Sequence, residues 1–274
     1  MVVSILRPLR VPHARAAAFT LVELLVVVGL ITVLVALLMP ALRKARGQAA
    51  AVQCLSNVRQ LGQAFVLYVN ENRGRSPIYR SSQDEYWIDL LRVHYAAVDG
   101  IRFCPSTPET DPANAQGSAT QYWVRGRDGS YGFNGWLYRL SGPRHPEGID
   151  HDGGVHFARG PLPRDLAFQR FIRPSTREAS AVPVFGDCTW PNGWPRDTDA
   201  PPADLTRGPR GDRTAPPNEP MLARFTVARH DKSINLTFLD GHAELVPLAR
   251  LKALKWHEGF RYDTTDWPRT LPRQ

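Results

Sequence analysis

Four groups of residues have chemistry beyond packing. Glu23 is the one charged side chain in the apolar run from Leu21 to Met39. A carboxylate in such surroundings costs about 2.5–3.5 kcal/mol at a bilayer centre and less near the surface, so it calls for a partner. Nine residues separate His230 from Asp240-Gly241-His242. With Asp187, these imidazoles and carboxylates could hold a divalent cation, and two histidines suit zinc better than calcium. The plainer reading is preferred: Asp240-Gly241 makes a turn, while His230 hydrogen-bonds to nearby backbone or to a carboxylate. Cys54, Cys104 and Cys188 fit no CxxC ligand pattern, though in an oxidising compartment two of them could pair. His145, His151, Asp152 and His156 share a Gly- and Pro-rich loop, but their spacing matches no ligand pattern. No Ser-His-Asp, paired-carboxylate or Gly-rich phosphate motif stands out. Neither an enzyme nor a cofactor beyond that optional cation is expected.

These groups need elements to position them. Leu21 to Met39 is long enough to cross a bilayer as one helix, which takes about 20 residues. Arg7, Arg10 and Arg15 before it balance Arg43, Lys44 and Arg46 behind it, so charge counting leaves its orientation open. Beyond Pro40, Val52, Leu55, Val58, Leu61, Phe65 and Tyr68 recur at helical spacing and predict a continued amphipathic helix, stopped near Gly74. That stripe requires a sheet to cover it. Ser82 and Glu85 form a capping-box pattern ahead of a short helix through Trp87, Leu90 and Leu91. Ile101 to Cys104 reads as a strand ended by Pro105. Tyr122-Trp123-Val124 and Tyr131 to Asn134 read as strands around an Asp128-Gly129 turn, and Val182 to Asp187 as a buried strand. Trp190 to Pro220 reads as an exposed excursion. Ile234, Leu236 and Phe238 alternate with polar or small residues. Asp240-Gly241 then supplies the φ > 0 residues of a primed hairpin turn, and a return strand runs from His242 to Val246. Leu251, Leu254 and Trp256 keep helical spacing, and Phe260 to Gln274 reads as a surface extension.

Composition narrows the class. The 274 residues carry 34 basic and 26 acidic side chains, but no Lys/Arg run is dense enough to suggest nucleic acid as a partner. The 24 prolines and 21 glycines point to a loop-rich head rather than a helical bundle.

Phe19-Thr20-Leu21-Val22-Glu23-Leu24-Leu25 resembles the amino-terminal signature of type IV prepilins and type II secretion pseudopilins. The resemblance implies that prepilin peptidase cuts between Ala18 and Phe19 on the cytoplasmic side and methylates Phe19. Glu23 is then the signature carboxylate, meeting a neighbouring subunit's amino terminus, and Pro40 the helix-kinking proline. Ala18 departs from the family's usual Gly. Cys54-Leu55-Ser56-Asn57-Val58-Arg59-Gln60-Leu61-Gly62 resembles relatives of the major pseudopilin G, and Cys104-Pro105 implies a Cys54–Cys104 disulfide with Cys188 free. The span from His230 to Asp240-Gly241 resembles the carboxyl-terminal H-X9-DG element of a large pseudopilin-like subgroup, whose role is unclear there too.

The expected fold is α+β and pilin-like, a long amino-terminal helix packed on a small antiparallel sheet with long loops. The expected divisions are a leader at 1–18, a membrane and filament-core helix at 19–40, its soluble half at 41–74, a head at 75–250 and an extension at 251–274. The resemblance implies a single-pass inner-membrane subunit with a periplasmic head, in contact with lipid, the peptidase, other pilin-like subunits and the inner-membrane assembly platform. A type II secretion pseudopilus or type IV pilus-like filament is the expected product. The alternative is a membrane-anchored periplasmic domain that binds metal or glycan, the latter along some of its seven tryptophans.

Overall fold

The computed structural model describes residues 20–78, 87–96, 98–107, 117, 123–124, 128–138, 176–202, 204–205, 220–262 and 267. Ala18 and Phe19, the Ser82/Glu85 pattern and the loop with His145, His151, Asp152 and His156 lie outside them. The chain divides into two compact units, Met1–Arg46 and Gly47–Gln274.

One helix, α1 (Leu21–Glu71), runs without a break through Pro40. Its start is a capping box. The Glu23 carboxylate accepts from the Thr20 amide at 2.9 Å and from the Thr20 hydroxyl at 3.0 Å, while the Glu23 amide donates back to Thr20 Oγ1 at 3.2 Å. From Leu21 to Met39 every residue is exposed, and this helix is long and apolar enough to cross a membrane. At the far end Gly74, with φ +77°, donates its amide to Val69 O and turns the chain away.

In the second unit, α1 buries Cys54, Asn57, Val58, Leu61, Gly62, Ala64, Phe65 and Val69. The stripe is rotated from the one expected: Val52 is 68% exposed, and Leu55 and Tyr68 are half-buried. Gly62 explains the shift. A Cβ there would lie 2.3 Å from Thr237 Oγ1, so the helix backbone meets the sheet where a side chain would keep it away.

The sheet comprises β3 (Tyr131–Asn134), β4 (Pro183–Asp187), β5 (Asn192–Gly193), β6 (Ser233–Phe238) and β7 (Ala243–Pro247), in the order β5-β3-β4-β6-β7. It is mixed rather than wholly antiparallel, because β5 joins β3 in parallel at the edge. Central strands β4 and β6 are buried along nearly their whole length. One face meets α1 through a core that includes Phe65, Phe133 and Phe185. Against the other, Ile234, Leu236 and Phe238 pack on Phe225, Leu251 and Trp256. Burial on both faces explains the apolar character of β4.

Several expectations are corrected. Asp128-Gly129 is no turn; it is β2, paired antiparallel with β1 (Trp123–Val124). Ile101 and Arg102 belong to a 3-10 turn, Asp99–Arg102, so the expected strand before Pro105 is absent. The short helix expected through Trp87, Leu90 and Leu91 is present as α2 (Trp87–Leu91) and buries Trp87, whose indole N–H donates to Pro191 O at 2.7 Å. The 190–220 stretch is not wholly an excursion, because it begins with β5 and the buried Trp194. The carboxyl end is not wholly a surface extension either: a 3-10 segment, Leu248–Ala253, replaces the helical spacing, Leu251, Leu254 and Trp256 enter the core, and Phe260 and Trp267 join them there.

Candidate functional site

The H-X9-DG element is split by the strand inside it. Asp240-Gly241 lies at the β6–β7 tip, where only Gly241 has positive φ, at +89°. Gly241 N donates to Phe238 O and Phe238 N to His242 O, which makes a three-residue loop with a glycine bulge, not the expected two-residue primed turn. Asp240 Oδ1 accepts from the His242 amide at 3.1 Å and lies 2.5 Å from His242 Nδ1, whose ring stacks on Phe238 at 4.3 Å. Desolvation pushes the Asp240 carboxyl up, but the amide, ring and charge of His242 outweigh it and hold it below the ordinary range.

His230 sits beyond the other end of β6, so about six strand residues at roughly 3.3 Å each separate it from Asp240 and His242. The four-residue cation set His230, Asp240, His242 and Asp187 is therefore not assembled; it falls into two separate pairs, His230 with Asp187 and Asp240 with His242. A tight turn fixes His230. Its amide and carbonyl exchange bonds with Ser233, and the intervening Asp231 and Lys232 both have positive φ, at +46° and +61°. The primed turn read into Asp240-Gly241 is made here by two non-glycine residues, at a backbone cost of order 1–3 kcal/mol each.

Asp187 ends β4 with its side chain fully buried. Its Oδ2 accepts from the Asn235 amide at 2.8 Å and lies 3.3 Å from His230 Nε2; its Oδ1 lies 3.2 Å from an Arg229 guanidinium nitrogen. Burial is the largest influence and would raise the carboxyl pKa. The His230 hydrogen bond, the Arg229 charge and the Asn235 amide together overcome it, and the carboxyl stays below its ordinary range. Arg229 also donates to the carbonyls of Ser130 and Cys188. Tyr131, opposite Asp187 in the sheet, donates to Cys54 O at 3.4 Å. Burial first, and the Asp187 charge second, push its phenol well above the ordinary value.

Against this cluster lies a disulfide. Cys54, from α1, is bonded to Cys104, with Cα atoms 5.1 Å apart; Cys188 is buried and free, its thiol pushed up to about 12 by burial. Asn57 Nδ2 donates to Phe103 O at 3.0 Å and holds the Cys104 segment to the helix one turn along. Cys104 Sγ is 3.5 Å from His230 Nε2.

Among the described residues the arrangement does not form a nucleophile–base relay. Such a relay needs the two imidazole nitrogens to face opposite partners. Here Nε2 faces both the sulfur and the carboxylate, while Nδ1 has no partner among the described residues. What the cluster does is tie α1, β4 and the chain entering β6 together. Arg229 carries no sequence signal beyond its adjacency to His230. The Thr20/Glu23 box has a signal in the sequence, Thr followed three residues later by Glu ahead of an apolar run.

No protein-family model, no curated protein and no solved structure matches this chain.

Proposed function

We propose that this chain is a pilin-like structural subunit. It is cut between Ala18 and Phe19 by prepilin peptidase, methylated on Phe19, held in the inner membrane with its head in the periplasm, and polymerised into a type II secretion pseudopilus or type IV pilus-like filament. One observation carries this reading. Phe19-Thr20-Leu21-Val22-Glu23 leads into a 51-residue helix whose residues Leu24 to Met39 carry no charge and are all exposed. In a filament that surface is buried between neighbouring helices. Glu23 then exchanges its local bonds to Thr20 for an ion pair with the methylated amino terminus of a neighbouring subunit, which offsets part of its desolvation.

Intact-mass and amino-terminal analysis of membrane-extracted protein tests the reading. The expected product begins at Phe19 and carries one added methyl group. An intact leader overturns the filament reading and leaves a single-pass anchor bearing the head. Glu23→Ala is expected to insert into the membrane but to be missing from sheared filaments; normal incorporation refutes the ion pair.

A further inference from the structure

We propose that, before the disulfide closes, Cys54, Cys104, His230 and Asp187 form a zinc site, so that metal binding and disulfide formation are exclusive uses of the same two sulfurs. The inference does not depend on the filament reading.

The argument is convergence. The ligand atoms of Cys54, Cys104 and His230 all lie within 4.8 Å of one another, and all three residues are buried. Asp187 Oδ2 adds a fourth, 3.3 Å from the same Nε2 that lies 3.5 Å from Cys104 Sγ. A tetrahedral zinc with bonds of about 2.0 Å to N and O and about 2.3 Å to S has N···O edges of roughly 3.3 Å and N···S edges of roughly 3.5 Å. One imidazole nitrogen faces both the sulfur and the carboxylate, which is what a shared cation requires.

Charge balance agrees. Two thiolates, the Asp187 carboxylate, Zn2+ and the Arg229 guanidinium sum to zero with a neutral imidazole. The oxidised cluster is neutral as well, because Asp187 and Arg229 cancel. A buried site therefore changes occupancy without leaving a net charge. The steps balance. An external dithiol or phosphine reductant gives two electrons, and two protons are taken up to make two thiols from the disulfide. Zinc then replaces the two thiol protons, and the imidazole proton moves from Nε2 to Nδ1. An external disulfide oxidant takes two electrons from the two thiolates and two protons from water to become two thiols; the Cys54–Cys104 bond re-forms, Zn2+ leaves to water, and the imidazole proton returns to Nε2.

The test uses the full-length chain in detergent, reduced anaerobically with a metal-free phosphine and titrated with Co2+, then Zn2+. Reduced wild type and C188S are expected to take up one Co2+ per chain, with tetrahedral visible bands and thiolate-to-cobalt charge transfer that one Zn2+ bleaches. The oxidised chain is expected to take up none, and C54S to lose charge-transfer intensity. The proposal is overturned if a reduced chain with native near-ultraviolet dichroism binds no Co2+, or if C54S leaves the spectrum unchanged. A reduced chain that unfolds and is not restored by Zn2+ overturns it equally.

Discussion

Replacing Asp187 with Asn removes a charge from a pocket in which every neighbour is a donor. The native carboxylate is met by the Asn235 amide at 2.8 Å, His230 Nε2 at 3.3 Å and Arg229 at 3.2 Å. Whichever way the new amide is turned, its NH2 group faces one of these donors, and the buried guanidinium loses its carboxylate while its bonds to the Ser130 and Cys188 carbonyls remain. Breaking one side of a buried pair costs about 3–5 kcal/mol. At about 2–4 °C per kcal/mol for a domain of this size, Tm should fall by about 6–20 °C. Tryptophan-monitored thermal unfolding of the full-length chain in detergent, disulfide intact, measures it. The double variant D187L/R229M should lose less than D187N, because it leaves no unpaired charge. The native carboxyl lies below its ordinary pKa of 3.8, so the unfolded chain is the better proton acceptor. This stabilisation is thus complete above the ordinary pKa and is lost as pH falls through the lower native one. The gap between wild type and D187N should accordingly narrow below about pH 4. A D187N loss under about 1 kcal/mol, or a double variant worse than D187N, refutes the reasoning.

Two further outcomes follow from the packing. C54S/C104S removes a cross-link between residues 50 apart in sequence and should lower stability by about 4 kcal/mol on the chain-entropy account, read as the difference between its urea midpoint and that of oxidised wild type. Gly62→Ala puts a Cβ 2.3 Å from Thr237 Oγ1 and should cost about 1–3 kcal/mol. Gly47→Ala, with nothing within 4 Å, should instead gain up to about 1 kcal/mol by helix propensity. Equal effects in paired thermal melts would show that α1 does not meet β6 at Gly62.

Elements whose signal is local were legible. The apolar run of α1 needs no partner to be recognised. Nor do the continuous run of β4 and the alternation of β6, which come from burial on two faces and on a strand's two-residue repeat. β5 was not legible, because two residues have no periodicity and their parallel pairing with β3 exists only in the folded sheet. Turn chemistry misled in two places, at Asp128-Gly129, which pairs as β2, and at the β6–β7 hairpin. Asp240-Gly241 has the composition of a two-residue primed turn, while Asp231-Lys232 does not, yet only the second pair adopts two positive φ values. Sheet register and the His230–Ser233 pairing outweigh residue preference there.

By itself the sequence determined the long helix with a single carboxylate in its apolar run, the strands β4 and β6 and the presence of cysteine, histidine and aspartate able to react. These are properties of neighbouring residues and of their spacing. The tertiary structure decided which of them meet. Asp187 finds Arg229 and His230 more than forty residues away because β4 and β6 are adjacent, and the turn at Asp231-Lys232 folds His230 back over them. The same adjacency sets His230 against Cys104 and leaves Asp240 and His242 to cap the opposite end of their strand. Chain spacing counts residues along a strand, whereas a shared ligand site requires a common point in space, and only strand order brings that about.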